Sequence, residues 1–199
     1  CILILAYTNK AVDEICVAVD SAIERDNNFI RVGSKLSTSD LHHNKLLSEI
    51  TKNCSTRSEL EKEIKDQRIY VSTLASILSQ QDVLDLKNFD TLIIDEASQI
   101  LEPQIIGLLT RFKKFILIGD HKQLPAITLQ ETTKSQRFNS QLKTIGFNDL
   151  RESYFERMYR QCYKNKWESA YDSLTYQGRM HTDIANFPAN CFYRGKLNV

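Results

Sequence analysis

The sequence is short of the residues that punctuate or staple a chain. Three prolines and six glycines in 199 residues exclude fibrous and low-complexity classes. The five cysteines, at 1, 16, 54, 162 and 191, are odd in number and contain no CxxC pair. Neither a disulfide framework nor a zinc site is expected, and reduced thiols imply an intracellular setting, cytoplasmic or nuclear. The four histidines have no ligand spacing with the cysteines, and the adjacent His42 and His43 read as solvated loop residues. No apolar run approaches 18 residues, so a membrane-spanning helix is excluded. The opening CILILAYTNK has neither a basic leader nor a small-residue cleavage pattern, and reads as a buried strand.

What is present is a 42% hydrophobic chain with a net charge of only +1. That balance hides an asymmetry. Residues 1–100 carry 11 Lys and Arg against 16 Asp and Glu, whereas residues 101–199 carry 15 against 9. A basic second half permits a polyanionic partner, but a solvated surface produces the same imbalance.

Four short apolar runs, at 2–6, 69–71, 92–94 and 115–118, do not alternate with period two. Such runs suit strands buried on both faces of a parallel sheet. Between them, Ala11, Ile15, Ala18, Val19 and Ala22 repeat with helical spacing, as do Ile105, Ile106, Leu108 and Leu109 after Pro103. Strand, helix and strand with short connections predict an α/β fold with a mainly parallel sheet. Residues 35–68 break the pattern. They are polar, with one charged helical stretch over 58–67, and read as an insertion packed on the sheet edge or partly mobile.

Chemistry concentrates at two strand ends. In FDTLIIDEASQ the strand stops at Asp95 and Glu96, and in KKFILIGDHKQLPAI at Gly119 and Asp120. The carboxyl ends of parallel strands form the ligand crevice, and acids placed there cost folding free energy unless a cation or a water uses them. Asp95 suits Mg²⁺ and Glu96 suits polarising a water, the chemistry of a Walker B strand. The plainer reading is two acids complementing the dipole of the following helix. Phe155, Tyr159, Tyr163, Trp167 and Tyr171 recur every four residues among Arg157, Arg160, Lys164 and Lys166. That pattern suits stacking on single-stranded bases, though such stripes more often pack.

DEASQ at 95–99 resembles motif II of superfamily 1 helicases, and GDHKQLPAI at 119–127 resembles their motif III. Other segments agree in order: AYTNKAVDEI at 6–15 with motif Ia, RVGS at 31–34, VSTLAS at 71–76 with motif Ic, SYFERM at 153–158, and LTYQGRMHTDIANFPANCFYRGKL at 174–197. The branch resembled is superfamily 1B, that of the nonsense-mediated-decay RNA helicase and the replication helicase–nucleases. The resemblance implies a RecA-like P-loop NTPase core: a first domain over 1–175 and the opening of a second over 176–199. It implies ATP and Mg²⁺ as cofactors, and single-stranded DNA or RNA as partner, with 5′ to 3′ travel. By the same resemblance Asp95 is the magnesium aspartate, Glu96 the catalytic glutamate, and Gln123 the γ-phosphate sensor. Asp120 supports the magnesium shell or the loop. Arg179 reaches the γ-phosphate across the cleft, and Thr8, Asn9, Ser72 and Thr73 contact the sugar-phosphate backbone.

The sequence departs from the family in two respects. No GxxxxGK[ST] phosphate cradle occurs, and nothing resembles motifs V and VI. The simplest account is an interior slice of a longer helicase that lacks its N-terminal P-loop strand, inactive when isolated; a degenerate natural protein is the rival. Gly178 stands where the family has a tyrosine that stacks on adenine, and Tyr176 is a weak substitute. Two other functions compete: a non-hydrolysing nucleic-acid-binding module, and a phosphatase-like α/β enzyme, in which QLP and QGRMH have no role.

Overall fold

The computed structural model describes residues 1–23, 29–129, 131, 135 and 139–199. Its strands β1 (Ile2–Ala6), β2 (Phe29–Val32), β3 (Ile69–Thr73), β4 (Thr91–Ile94) and β5 (Lys114–Leu117) form one sheet in the order β2-β3-β1-β4-β5. Every pairing is parallel. Among the described residues the α-helices are α1 (Asn9–Ala22), α2 (Leu47–Ile50), α3 (Arg57–Asp66), α4 (Leu74–Ser79), α5 (Asp82–Leu86), α6 (Glu102–Leu109), α7 (Ser140–Thr144), α8 (Tyr154–Asn165) and α9 (Thr182–Phe192).

A parallel sheet must be covered on both faces, and two apolar clusters do this. Leu3, Leu5, Ile30, Tyr70, Leu92 and Ile94 pack with Ile77, Leu84, Phe89, Ile105 and Leu108. Ala6, Phe29 and Val71 pack with Val12 and Cys16 of α1. Burial raises the Cys16 thiol to about 12, against the pull of Arg31, so this cysteine is an inert core residue.

Strand β2 was not among the four expected, because Arg31 interrupts its apolar run. Its guanidinium is fully buried. It donates from Nε to Thr38 Oγ1 (2.9 Å) and from Nη2 to Ser37 O (3.0 Å), and it pairs with Asp13 Oδ1 of α1 (3.1 Å). The polar segment 35–68 does pack on the sheet edge, where Leu46 is fully buried and bridges Arg31. One expectation there is corrected. His42 is buried rather than solvated, its ring centroid 6.4 Å from that of Phe29 and its Nδ1 3.7 Å from Asp20 Oδ2. The segment folds back over β2 and takes the histidine with it. Helix α3 begins at a capping box, with Glu59 N–H donating to Thr56 Oγ1 (3.2 Å) and Thr56 N–H to Glu59 Oε2 (3.3 Å).

At the opposite edge, β5 pairs only with β4 among the described residues, and Phe115, Ile116 and Ile118 are 38, 40 and 47% exposed. An open, apolar edge templates association. Residues 1–199 alone are expected to associate with rising concentration in sedimentation, and Ile116→Lys to shift them toward monomer. A monodisperse wild-type monomer with cooperative, high-temperature unfolding would show the edge to be harmless.

Candidate functional site

Register determines what meets at the carboxyl edge. Ala6 pairs with Thr73, Leu5 with Ile94, and Ile94 with Leu117. The ladder runs one step further, through Asp95 N–H to Leu5 O and Ile118 N–H to Ile94 O, both 2.8 Å. Thr73, Ala6, Asp95 and Ile118 therefore stand level, with Thr8, Asn9, Glu96 and Asp120 just beyond.

Asp95 and Glu96 are half-buried. Asp95 Oδ1 accepts the Glu96 N–H (3.0 Å), which orients its carboxylate. Glu96 is left-handed, with φ 54° and ψ 36°. A non-glycine residue there is strained, and such strain clusters at functional sites. Its Oε2 accepts from Gln99 Nε2 (3.3 Å).

The turn after β4 interlocks with the loop after β5. Ala97 N–H donates to Ile118 O (2.8 Å) and Asp120 N–H to the buried Ser98 Oγ (3.3 Å). A Cβ on Gly119 would lie 2.9 Å from Ser98 N and 3.3 Å from Ala97 N, so only glycine permits this approach. Asp120 collects donors: Lys122 N–H on Oδ1 (2.9 Å), and the Gln123 amide (3.0 Å) and Tyr193 hydroxyl on Oδ2. Burial opposes its ionisation, but these donors and His121 outweigh burial and hold the carboxyl below its usual range. Burial and the Asp120 contact push Tyr193 up to about 12.

The structure thus brings Asp95, Glu96, Asp120 and Gln123 to adjoining strand ends. Arg179 is exposed, and its side chain has no hydrogen bond or ion pair among the described residues; its N–H donates to Gln177 Oε1 (2.9 Å). A Cβ at Gly178 meets nothing within 4 Å. Thr8 is the exposed N-cap of α1, accepting from Ala11 N–H (3.2 Å), and Asn9 is exposed beside it. Thr73, also expected at the backbone of a bound strand, is buried as the N-cap of α4, its hydroxyl accepting from Ser76 N–H (3.1 Å) and donating to Ser76 Oγ (2.8 Å). Ser72 departs from its expected role. It is fully buried, and its hydroxyl donates to Val32 O and Thr73 O (both 3.0 Å), so it offers nothing to a ligand.

Sequence reasoning missed three residues. Ser98 lies within DEASQ and Tyr193 within FYRGKL, but neither was marked as functional, since only the fold brings each to Asp120. Arg157 belonged to the aromatic–basic stripe, yet it is buried, with Nε and Nη2 on Glu102 Oε2 and Oε1 at 2.6 and 2.7 Å. The inner half of that stripe packs: Tyr159 lies 4.8 Å from His121 between ring centroids and 5.4 Å from Tyr171, while Tyr163 and Trp167 remain exposed.

Among the described residues no three His, Cys, Asp or Glu side chains converge on a point that could hold a metal. Mg²⁺ does not need such a cage. It binds through one or two carboxylates, with water and substrate phosphates completing its octahedron. The donor set at Asp95, one ordered carboxylate at a strand end, fits that mode.

A five-stranded parallel sheet with acids and helix N-termini on its carboxyl edge defines an α/β core of the RecA-like type. Family profiles described as AAA domain match residues 43–131 and 150–199. The chain is 30% identical over 197 residues to the human DNA replication ATP-dependent helicase/nuclease DNA2, covering 98% of this chain and 16% of that protein. It is 30% identical to the probable helicase MAGATAMA 3 of Arabidopsis thaliana, over 98% of this chain and 24% of that protein. It is also 30% identical to the DNA polymerase alpha-associated DNA helicase A of Saccharomyces cerevisiae, over 98% and 28%. The chain belongs to the superfamily 1B helicases, and spans a sixth to a quarter or so of the length of these relatives.

The Gly119 contact is directly testable. Gly119→Ala places a methyl against backbone that cannot yield without opening the Ala97–Ser98 turn, and is expected to destabilise by about 1–3 kcal/mol. Denaturant unfolding measures this; a loss under about 0.5 kcal/mol, the scale of an ordinary surface change, would mean the two loops separate freely.

Proposed function

We propose that the protein carrying this chain is an ATP-dependent helicase that couples hydrolysis to movement along single-stranded DNA or RNA inside the cell. Residues 1–175 are most of its first RecA-like domain, and the second opens near 176. The observation that carries the reading is the interlocked pair of strand ends, with ordered Asp95 and strained Glu96 against the Gly119–Gln123 loop. The relatives' names, each a helicase and one ATP-dependent, support it.

In this reading Asp95 holds the magnesium ion, which when bound neutralises phosphate charge. Glu96 accepts a proton from the attacking water. Gln123, now bonded to Asp120, turns to the γ-phosphate when nucleotide enters. Arg179 supplies a planar fork of donors for the charge that develops in the transition state. Thr8 and Asn9 face the sugar-phosphate backbone at the exposed start of α1, where N–H groups suit phosphate without reading bases, and Thr73 orders the neighbouring strand end from a buried position, its hydroxyl engaged by Ser76. The phosphate cradle comes from further helicase segments of the parent chain, so residues 1–199 alone are not expected to bind ATP at micromolar concentration.

Glu96→Gln in the full-length protein keeps size and hydrogen bonding but removes the base. Nucleotide binding is expected to persist while turnover falls about 10²-fold or more. Turnover at the wild-type rate would end the hydrolytic reading and leave a nucleic-acid-binding module in its place. A side chain at Gly178 starts into open space, and Gly178→Tyr is expected to tighten nucleotide binding about threefold to tenfold by stacking; unchanged affinity in a calorimetric titration would place the base elsewhere.

A further inference from the structure

Asp120 is the most heavily engaged carboxylate at the carboxyl edge, and one of its donors comes from 73 residues away. Tyr193 lies just beyond α9, where Arg194 and Gly195 are both left-handed, with φ 55° and 71°. Gly195 N–H and Tyr193 N–H both return to Ala189 O, at 2.9 and 3.2 Å, so the turn that presents Tyr193 is fixed by the end of the helix. A left-handed arginine there is a strained choice. The same unit is closed on itself by Gln177 N–H to Asn198 O (2.9 Å) and Asn198 N–H to Thr175 O (2.7 Å). Tyr193 therefore belongs to the hydrogen-bonded unit 175–198, whereas Asp120 belongs to the loop that follows β5. Among the described residues, no other hydrogen bond or ion pair joins 175–199 to the strand-end loops.

The other donor on Asp120 Oδ2 is the Gln123 amide. One oxygen thus carries both a contact from the C-terminal unit and the side chain that the hydrolytic reading assigns to the γ-phosphate. We infer that Tyr193 is a positioning residue: it ties residues 175–198 to Asp120, and through Asp120 governs where the Gln123 amide is held. Displacement of the C-terminal unit then alters the Gln123 position with no change at Asp95 or Glu96. This inference rests on the hydrolytic reading of the same site.

Tyr193→Phe in the full-length protein removes one hydroxyl and keeps the ring. Loss of a hydrogen bond to a charged group is expected to lower strand-stimulated ATP turnover about tenfold or more, with KM for ATP within about twofold of wild type. The effect passes through Asp120, so single-turnover rates should be coupled: in an Asp120→Asn background, Tyr193→Phe should add less than about twofold. An equal fall in both backgrounds would overturn the inference, because the hydroxyl would then act elsewhere. So would wild-type turnover by Tyr193→Phe alongside an inactive Glu96→Gln, and that result would leave the hydrolytic reading intact. Wild-type turnover by Glu96→Gln would remove both.

Discussion

The parallel register between β1, β4 and β5 is the constraint on which the rest of this structure depends. Because all five strands run the same way, every loop that follows a strand emerges at one edge, and every loop that precedes one emerges at the other. Sequence positions as far apart as Thr8, Thr73, Asp95 and Asp120 become neighbours without any long-range side-chain pairing to guide them. A slip of one residue between β4 and β5 would carry Gly119 away from the Ala97–Ser98 backbone and put a side chain in its place. The close approach at Gly119 thus selects the register as well as depending on it.

How legible this was varies with the physical origin of each feature. Strands β1, β3 and β4 are apolar runs inside the sheet, where both faces are covered, and β5 is an equally apolar run although its side chains are largely exposed at the edge; such runs are visible in sequence. Strand β2 was hidden because one of its four residues is an arginine, whose burial is paid for by Asp13, Ser37 and Thr38 from two other elements. Sequence spacing carries no sign of that compensation. His42 was misjudged for a related reason: a polar segment reads as solvated unless the element it folds onto is known, and here that element is the hidden strand. Ser72 was read beside Thr73 as one of a pair of hydroxyls. A strand alternates its faces, however, so adjacent hydroxyls cannot both serve one surface. That alternation was available in the sequence alone.

Two buried arginines brace the flanks of the site. Arg31 ties α1 to the segment after β2, and Arg157 ties α6 to α8 through Glu102, with a further bond from Nη1 to Ile145 O (2.8 Å). Buried ion pairs add little net stability over apolar packing, but losing one partner is costly. Their contribution here is geometric. Planar guanidinium forks bond in few geometries, so each specifies an angle between elements that apolar contacts alone would leave loose, even at Arg31, whose buried Nη1 has no hydrogen-bond partner among the described residues. The elements so specified, α1 on one side and α6 on the other, are those that follow β1 and the Asp95–Glu96 turn.

The acidic turn shows how a rigid scaffold permits a costly arrangement. Two carboxylates in sequence at a half-buried strand end repel each other, and in a relaxed loop they would turn apart into solvent. Three contacts prevent this: the Glu96 N–H on Asp95, the Gln99 amide on Glu96, and the Ala97 N–H on Ile118 O. The left-handed backbone at Glu96 is what makes the first and third compatible, since the chain must leave the strand line after Asp95 and still bring Ala97 back to β5. The strain is local, whereas the contacts that hold it reach from the end of β4 to the end of β5. An acid pair intended only to complement the following helix would need none of this, because a dipole tolerates any nearby carboxylate geometry. Directional constraint on both carboxylates is what a reacting water and a phosphate-bound cation require, and it is the physical ground for preferring that reading at Asp95 and Glu96.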